Sequence, residues 1–301
     1  MLAKSKPTSI IDAPSDLGLR RTGVHGLPKA LRAAGLLEGL PDVRSAGRLR
    51  VPPYVTLRDP STGVLNPEGI RTFSLQLAER VGFTLDLERF PLVLGGDCSI
   101  LLGSMLALRR RGRFGLFFID GHSDFYSPES EPLGEMASME LGVVTGREPR
   151  ALADLEGKRP LVREEDVVVF GFRDAESARE YGSPDVRQTA MHVLDLADVR
   201  RLGPAAAARQ GLAALEANGL EGFWIHLDAD VLHDEVMPAV DYRMPDGLWP
   251  DELTEALTVL LASPLAVGME VTIYNPSFDD RERSAARALA RAVTRAFAAA
   301  L

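Results

Sequence analysis

The chain has 301 residues, of which 46% are hydrophobic and 26% charged, as in ordinary globular proteins. Its net charge of −9, without a block of lysine and arginine, argues against a nucleic-acid partner. The single cysteine, Cys98, excludes an internal disulfide and is typical of a reducing compartment. Residues 1–8 show no signal-peptide pattern, and polar residues interrupt the longest mainly apolar stretch, 256–269. We therefore expect a cytoplasmic protein with no membrane partner.

Short apolar runs alternate with longer amphipathic segments along the chain. The runs predict strands at 9–13, 90–94, 114–119, 167–170, 191–195, 223–227 and 265–271. The longer segments predict helices at 26–34, 66–81, 99–111, 136–145, 175–181, 203–218, 250–263 and 280–300. The strand interiors are continuously apolar, which is typical of parallel strands covered on both faces. The alternation predicts one α/β domain over residues 1–301, with a mainly parallel, doubly wound sheet.

Two acidic clusters follow the third and sixth predicted strands. Asp120, His122 and Asp124 alternate after the third strand, and Asp228 and Asp230 follow the sixth. Alternate residues of an extended segment point to one side, and ligands of open α/β sheets bind beyond the carboxyl ends of the strands. Carboxylates that converge in this way repel one another unless a cation compensates them. We therefore predict a metal centre here, with two divalent ions.

A third polar segment follows the second predicted strand. Gly95 and Gly96 allow the backbone to turn tightly beside a ligand, and Asp97 or Ser99 is expected to cap the next helix. Cys98 is placed to supply a thiolate to the metal centre, although a lone cysteine is commonly a small buried apolar residue.

These three segments resemble the metal-binding motifs of the ureohydrolase family, which includes arginases, agmatinases and formiminoglutamases. Residues 23–36, 171–174 and 274–276 resemble further family segments, so the likeness covers nearly the whole chain. The resemblance implies a three-layer α/β/α fold and a binuclear manganese centre. It also implies hydrolysis of a guanidino compound or other linear amidine to urea, or a substituted urea, and an amine. A homo-oligomer, trimer or hexamer, is implied in the same way.

Carried over position by position, the resemblance assigns six metal ligands. One ion would be held by Cys98, Asp120, Asp124 and Asp228. The other would be held by Asp120, His122, Asp228 and Asp230. Two such ions lower the pKa of a water that they share. Asp124 is the candidate catalytic residue, because it could pass a proton to the leaving amine.

The chain departs from the family pattern at several positions. Cys98 stands where histidine is usual, so Zn²⁺ or Fe²⁺ could take the place of Mn²⁺, and the change resembles a subgroup, the N-omega-hydroxy-arginine amidinohydrolases. Ala137 replaces a proton-shuttling histidine, and Ile273 replaces a glutamate that pairs with the guanidinium. Because an apolar side chain cannot pair with a cation, we expect a substrate other than L-arginine. Glu135 and Glu176 are the candidate substrate-binding residues.

Other interpretations stay open at this point. Ala137 and Ile273 are also compatible with a metal-poor, catalytically inactive family member that acts as a binding or structural protein. A deacetylase-type hydrolase with one Zn²⁺ is disfavoured, because its site uses adjacent histidines and the sequence has none. His226, two residues before Asp228, is expected either to support a metal ligand or to be a hydrogen-bonded buried histidine.

Overall fold

The computed structural model describes residues 7–40 and 42–300, and within these ranges eight strands form one sheet. The strands are β1 Thr8–Asp12, β2 Arg44–Arg48, β3 Phe90–Leu94, β4 Gly115–Ile119, β5 Val167–Phe170, β6 His192–Leu194, β7 Phe223–Asp228 and β8 Ala266–Thr272. Every pairing is parallel, and the order across the sheet is β2-β1-β3-β8-β7-β4-β5-β6. The predicted parallel α/β fold is confirmed.

Helices cover both faces of the sheet. In the described ranges they are α1 Leu27–Ala33, α2 Pro67–Asp86, α3 Leu101–Arg109, α4 Glu140–Val144, α5 Arg150–Ala153, α6 Ala175–Glu180, α7 Leu196–Leu202, α8 Pro204–Glu216, α9 Pro250–Ala262 and α10 Ser284–Ala299. On β4, Phe117 and Ile119 enter a core with α8, α9 and α10, whereas Leu116 and Phe118 enter another with α2 and α3. Both faces of the strand are therefore buried, which explains its continuous apolar run.

All seven predicted strands exist, with bounds within one residue of those predicted. The edge strand β2 was missed because its residues are mostly polar and no face of it is buried, so it leaves no apolar run. Helices α5 and α7 were also missed, and α5 is a single turn of four residues.

Two helices near the carboxyl ends of the strands begin later than predicted, because a 3₁₀ turn precedes each of them. In the segment 99–111, a 3₁₀ turn at Cys98–Ile100 precedes α3. In the segment 136–145, a 3₁₀ turn at Met136–Ser138 precedes α4. No helix in the described ranges combines the length and the apolar character needed to cross a membrane.

Candidate metal centre

Matching turns place the acidic residues at the ends of β4 and β7. Asp120 Oδ1 accepts the backbone N–H of His122 at 2.7 Å, and Asp228 Oδ1 accepts that of Asp230 at 2.7 Å. Because β4 and β7 are paired neighbours, these turns lie side by side. The Gly121 amide donates to Asp230 Oδ1 at 3.1 Å, and His122 Nδ1 lies 2.9 Å from Asp230 Oδ2. Local backbone geometry thus sets the carboxylates of two strands against each other.

Cys98 enters the same cluster from the turn after β3. Its side chain is fully buried, and Sγ lies 2.8 Å from Asp228 Oδ2 and 3.1 Å from Thr272 Oγ1. Burial raises the pKa of the thiol well above its usual range, and the charge of Asp228 raises it further. The protonated thiol donates to the carboxylate, and a bound divalent ion would take the place of that proton.

Gly96 fixes the turn that carries Cys98. The Asp97 amide donates to the Ser15 carbonyl oxygen at 3.0 Å, and Asp97 caps the turn by accepting the Ser99 amide at 2.9 Å. A Cβ on Gly96 would lie 1.8 Å from the Ser15 oxygen, which is far inside contact distance. A residue without a side chain is therefore required, in agreement with the predicted glycine turn.

The electrostatics of the cluster call for added positive charge. Burial raises the pKa of Asp120, Asp124 and Asp228 well above the usual carboxyl range, and neighbouring carboxylates add to the shift. Burial alone would lower the pKa of His122, but the charge and hydrogen bond of Asp230 outweigh it and raise that pKa to about 9. Burial likewise opposes ionisation of Asp230, yet His122 outweighs it and lowers the pKa of Asp230. Divalent cations would allow all these carboxylates to ionise together.

The structure brings all six predicted ligand residues together. Their donor atoms fall into overlapping groups whose members lie within 4.8 Å of one another. In the part of the chain that the structure describes, these groups are Cys98–Asp120–His226–Asp228, Cys98–Asp120–Asp124–Glu140 and Asp120–His122–Asp230. Two residues outside the predicted set, His226 and Glu140, join them. Carboxylates, imidazole and one thiolate are ligand types that Mn²⁺, Fe²⁺ and Zn²⁺ accept, so the residues fit a metal centre.

Glu140 is the candidate ligand that sequence reasoning missed. It is fully buried at the start of α4, and its carboxyl group lies beside that of Asp124, with which it shares a hydrogen bond when one of the two is protonated. Burial raises its pKa well above the usual range. The sequence signal was an acidic residue inside the mainly apolar run 139–144, in a segment that we predicted only to be helical. Two buried carboxyl groups this close are costly to ionise together, so a cation is the natural occupant beside them.

A cavity of about 360 Å³ adjoins the cluster. Four residues of the cluster line the cavity, namely His122, Asp124, Asp228 and Asp230. Its other walls include Tyr126, Glu131, Asp174, Tyr181, Asp241 and Ile273. Arg243 also lines the cavity, but its guanidinium pairs with Asp234 at 2.6 Å. The acidic walls favour a cationic ligand.

The two predicted substrate-binding glutamates do not line this cavity. Glu135 is buried, and its carboxylate accepts the Arg20 amide at 2.9 Å and the hydroxyl of Tyr242. Because Tyr242 lines the cavity, Glu135 orients a wall residue and does not face the ligand itself. Glu176 has a side chain that is 83% exposed, and the next residue, Ser177, lines the cavity. Neither glutamate lies in the cavity wall of this structure, and substrate binding by them stays a prediction.

The two apolar replacements, Ala137 and Ile273, do line the cavity. The Ile273 amide donates to the Gly96 carbonyl oxygen at 2.8 Å, which ties the cavity wall to the turn carrying Cys98. Ile273 has φ of 68°, in the left-handed region that β-branched residues rarely adopt. Such backbone strain persists where the surroundings fix it, and it is concentrated at functional sites.

The structure thus combines a parallel α/β sheet with a buried cluster of candidate metal ligands at the carboxyl ends of its strands. A family model described as the arginase family matches residues 6–298. The arginase of Staphylococcus aureus strain COL is 30% identical over 296 residues, covering 96% of each chain. The solved arginase of Bacillus caldovelox is 28% identical with a TM-score of 0.85, covering 97% of this chain and 98% of that one.

The chain therefore belongs to the arginase family, whose members are hydrolases acting on C–N bonds in linear amidines. The formimidoylglutamase of Bacillus subtilis has a TM-score of 0.74 at 19% identity, covers 98% of this chain and 87% of that one, and shares the fold. The predicted family and the three-layer α/β/α fold are confirmed.

Proposed function

We propose that the protein is a binuclear metal-dependent amidinohydrolase whose substrate is a guanidino compound other than L-arginine. The observation that carries the proposal is the buried group of Cys98, Asp120, Asp124 and Glu140. Asp120 Oδ2 has no hydrogen-bond partner within the described chain, and the Glu140 carboxyl group lies against that of Asp124, so these oxygens would be available to ions. The cluster is stable with its carboxylates ionised only when cations are bound.

Asp120, Asp228 and the donors grouped around them would hold two ions. Oxygen and imidazole donors suit Mn²⁺, whereas the Cys98 thiolate favours Zn²⁺ or Fe²⁺ on its side of the cluster. When bound, two such ions would lower the pKa of an adjacent water toward about 7, which would supply a nucleophile at neutral pH.

The chain's own residues bind the substrate and handle its protons. Glu131 and Asp174 are buried carboxyl groups in the cavity wall, and they attract a cationic substrate. Asp124 lines the cavity and lies within the cluster, so it can hold a proton and deliver it to the leaving amine. The products are urea, or a substituted urea, and an amine.

Ile273 decides which guanidine is favoured. Its apolar side chain stands in the cavity wall where the family resemblance places a glutamate. A guanidinium whose partner is missing loses a charge-assisted hydrogen bond. An electronegative N-hydroxyl substituent makes the guanidine less basic, so this substrate depends less on a carboxylate partner. N-omega-hydroxy-arginine is therefore the first candidate.

Turnover with a defined panel tests the proposal. The protein is loaded with Mn²⁺ or with Zn²⁺, and metal content is measured before each assay. Arginine, agmatine, guanidinobutyrate, formiminoglutamate and N-omega-hydroxy-arginine are then tested, with products identified by mass spectrometry. We expect the highest kcat/KM with a substrate other than arginine, and loss of turnover in Asp124→Asn. No turnover on any compound with the site filled would overturn the proposal in favour of an inactive family member.

The proposal includes assembly as a homo-oligomer, a trimer or hexamer, which rests on family resemblance alone. Light scattering coupled to size exclusion measures the mass directly. A 32.7 kDa species at assay concentrations would contradict this part of the proposal.

A further inference from the structure

His226 is a fully buried histidine that the proposed mechanism does not use. It lies on β7, two residues before Asp228, so both side chains leave the strand on one face. Its ring stacks on Phe118, with centroids 4.7 Å apart and planes 5° from parallel. Packing of this kind fixes the plane of the imidazole.

The Nδ1 edge of the His226 ring contacts an acidic residue of the neighbouring strand β8. His226 and Glu270 are register partners on β7 and β8, and His226 Nδ1 lies 2.7 Å from Glu270 Oε1. Ser104 Oγ donates to Glu270 Oε2 at 2.5 Å, which fixes the carboxylate. A carboxylate at Nδ1 holds the proton there and leaves the lone pair on Nε2. Histidine ligands of metals are oriented in this way.

His226 Nε2 points toward the cluster and is itself without a partner. This buried nitrogen has no hydrogen-bond partner in residues 7–40 and 42–300. The nearest acidic atom, Asp120 Oδ2, is 4.0 Å away and is equally unpartnered in those ranges. The gap is too long for a hydrogen bond, and tetrahedral ligation of one ion at about 2.0–2.2 Å would draw the two atoms to roughly 3.5 Å from each other.

We propose that His226 is a metal ligand, and that Cys98, Asp120, Asp228 and His226 Nε2 together form a site for a Zn²⁺-like ion. The donor atoms of these residues lie within 4.8 Å of one another. A thiolate with an imidazole is a softer donor set than that of Asp120, His122 and Asp230, so the two ion positions differ in metal preference. This inference rests on the metal centre of the proposed function and adds a ligand and a selectivity to it.

Metal binding tests the inference without reference to turnover. The whole protein is stripped of metal and titrated with Zn²⁺ or Mn²⁺ alone, with bound metal counted by mass spectrometry. His226→Gln should weaken the tighter Zn²⁺ site by about 100-fold or more, since losing even an indirect supporting residue costs 10- to 100-fold. Mn²⁺ binding at the second position should change by less than about threefold. His192→Gln is the matched control, because His192 lies on β6 outside all the ligand groups.

X-ray absorption provides a second measurement if His226→Gln fails to fold. In His122→Asn, His226 is the only imidazole left in the ligand groups of the described chain. One equivalent of Zn²⁺ bound to this variant should show one sulfur ligand and one imidazole. Zn²⁺ without imidazole, or unchanged Zn²⁺ affinity in His226→Gln, would overturn the inference.

The two proposals fail in different ways. Selective Zn²⁺ binding through His226 in a protein that hydrolyses none of the guanidines sustains this inference and overturns the proposed function. Hydrolysis by the Mn²⁺ enzyme, with Zn²⁺ binding indifferent to His226, does the reverse.

Discussion

His122 Nδ1 lies 2.9 Å from Asp230 Oδ2, and this contact joins the turn after β4 to the turn after β7. Within the ligand groups of the described chain, it joins a side chain that can be cationic to a carboxylate of the cluster, whereas His226 meets Glu270, which lies outside these groups. The other carboxylates of the cluster are buried beside one another, and bound ions would supply the positive charge that they need to ionise together. The behaviour of the metal-free protein should therefore expose the electrostatic cost of the site.

The metal-free protein should lose stability as pH rises. The pKa values of Asp120, Asp124 and Asp228 are raised by burial, so the folded state holds protons that the unfolded state has released. Their contribution is complete below the ordinary carboxyl pKa and is lost as pH rises through the raised values. For His122, the contribution is complete below about 6.5 and is lost as pH rises through about 9.

Both effects have the same sign, so thermal unfolding in EDTA should show Tm falling by about 3 °C or more between pH 6 and pH 9. Excess Mn²⁺ should remove most of this slope, because bound carboxylates stay ionised. Asp124→Asn provides a control with a shallower slope in EDTA. A metal-free Tm that rises over this range contradicts the electrostatic picture.

Glu140→Gln should stabilise the metal-free protein and weaken its response to metal. The substitution keeps the side-chain shape but removes a buried carboxyl group whose ionisation is opposed by burial, as its raised pKa shows. We expect the free energy of unfolding in EDTA to increase by about 1 kcal/mol, and the stabilisation by Mn²⁺ or Zn²⁺ to decrease. Urea unfolding with and without metal measures both quantities. Equal metal stabilisation in wild type and variant would show that Glu140 is not a ligand.

Ile273→Glu should improve the use of strongly basic guanidines. The new carboxylate would stand in the cavity wall, where it can pair with a guanidinium. We expect kcat/KM for arginine or agmatine to rise at least tenfold, which corresponds to about 1.4 kcal/mol. Ile273→Gln is the neutral control of matched shape and should gain little. If both variants gain equally, size and not charge determines recognition.

Gly96→Ala should disrupt the turn that carries Cys98. The added Cβ meets the Ser15 carbonyl oxygen at 1.8 Å, and backbone must move to relieve the contact. We expect a loss of at least about 2 kcal/mol in unfolding free energy and weaker metal binding.

Gly82→Ala, inside α2, is the control, because a Cβ there meets nothing within 4 Å in the described chain. It should raise stability by about 0.5–1 kcal/mol, since alanine favours helix over glycine. Normal metal affinity in Gly96→Ala would argue that the turn does not position the thiol.

The parts of the site that the sequence predicted are those set by local pattern. Asp120 and Asp228 follow apolar strands, and each accepts a hydrogen bond from the amide two residues later. The geometry of both turns therefore depends on residues that are adjacent in sequence. Glu140 and His226 join the cluster through neighbours distant in sequence, and no local pattern identifies those neighbours. Glu176 shows a further limit of prediction from sequence. Consecutive residues of a helix point about 100° apart, so Ser177 reaches the cavity and Glu176 does not.

Strand β8 lies between β3 and β7, although it is the last strand in the chain. The distance between the Cys98 turn and the Asp228 turn is therefore set by β8, which is synthesised after both turns. A nascent chain that ends before residue 266 already contains Cys98 and the aspartates of the cluster, but it lacks the strand that holds β3 and β7 on either side of it. Capture of the proposed ions would thus be a late event in biogenesis, and an incomplete chain should neither retain them nor gain the stability that they would provide.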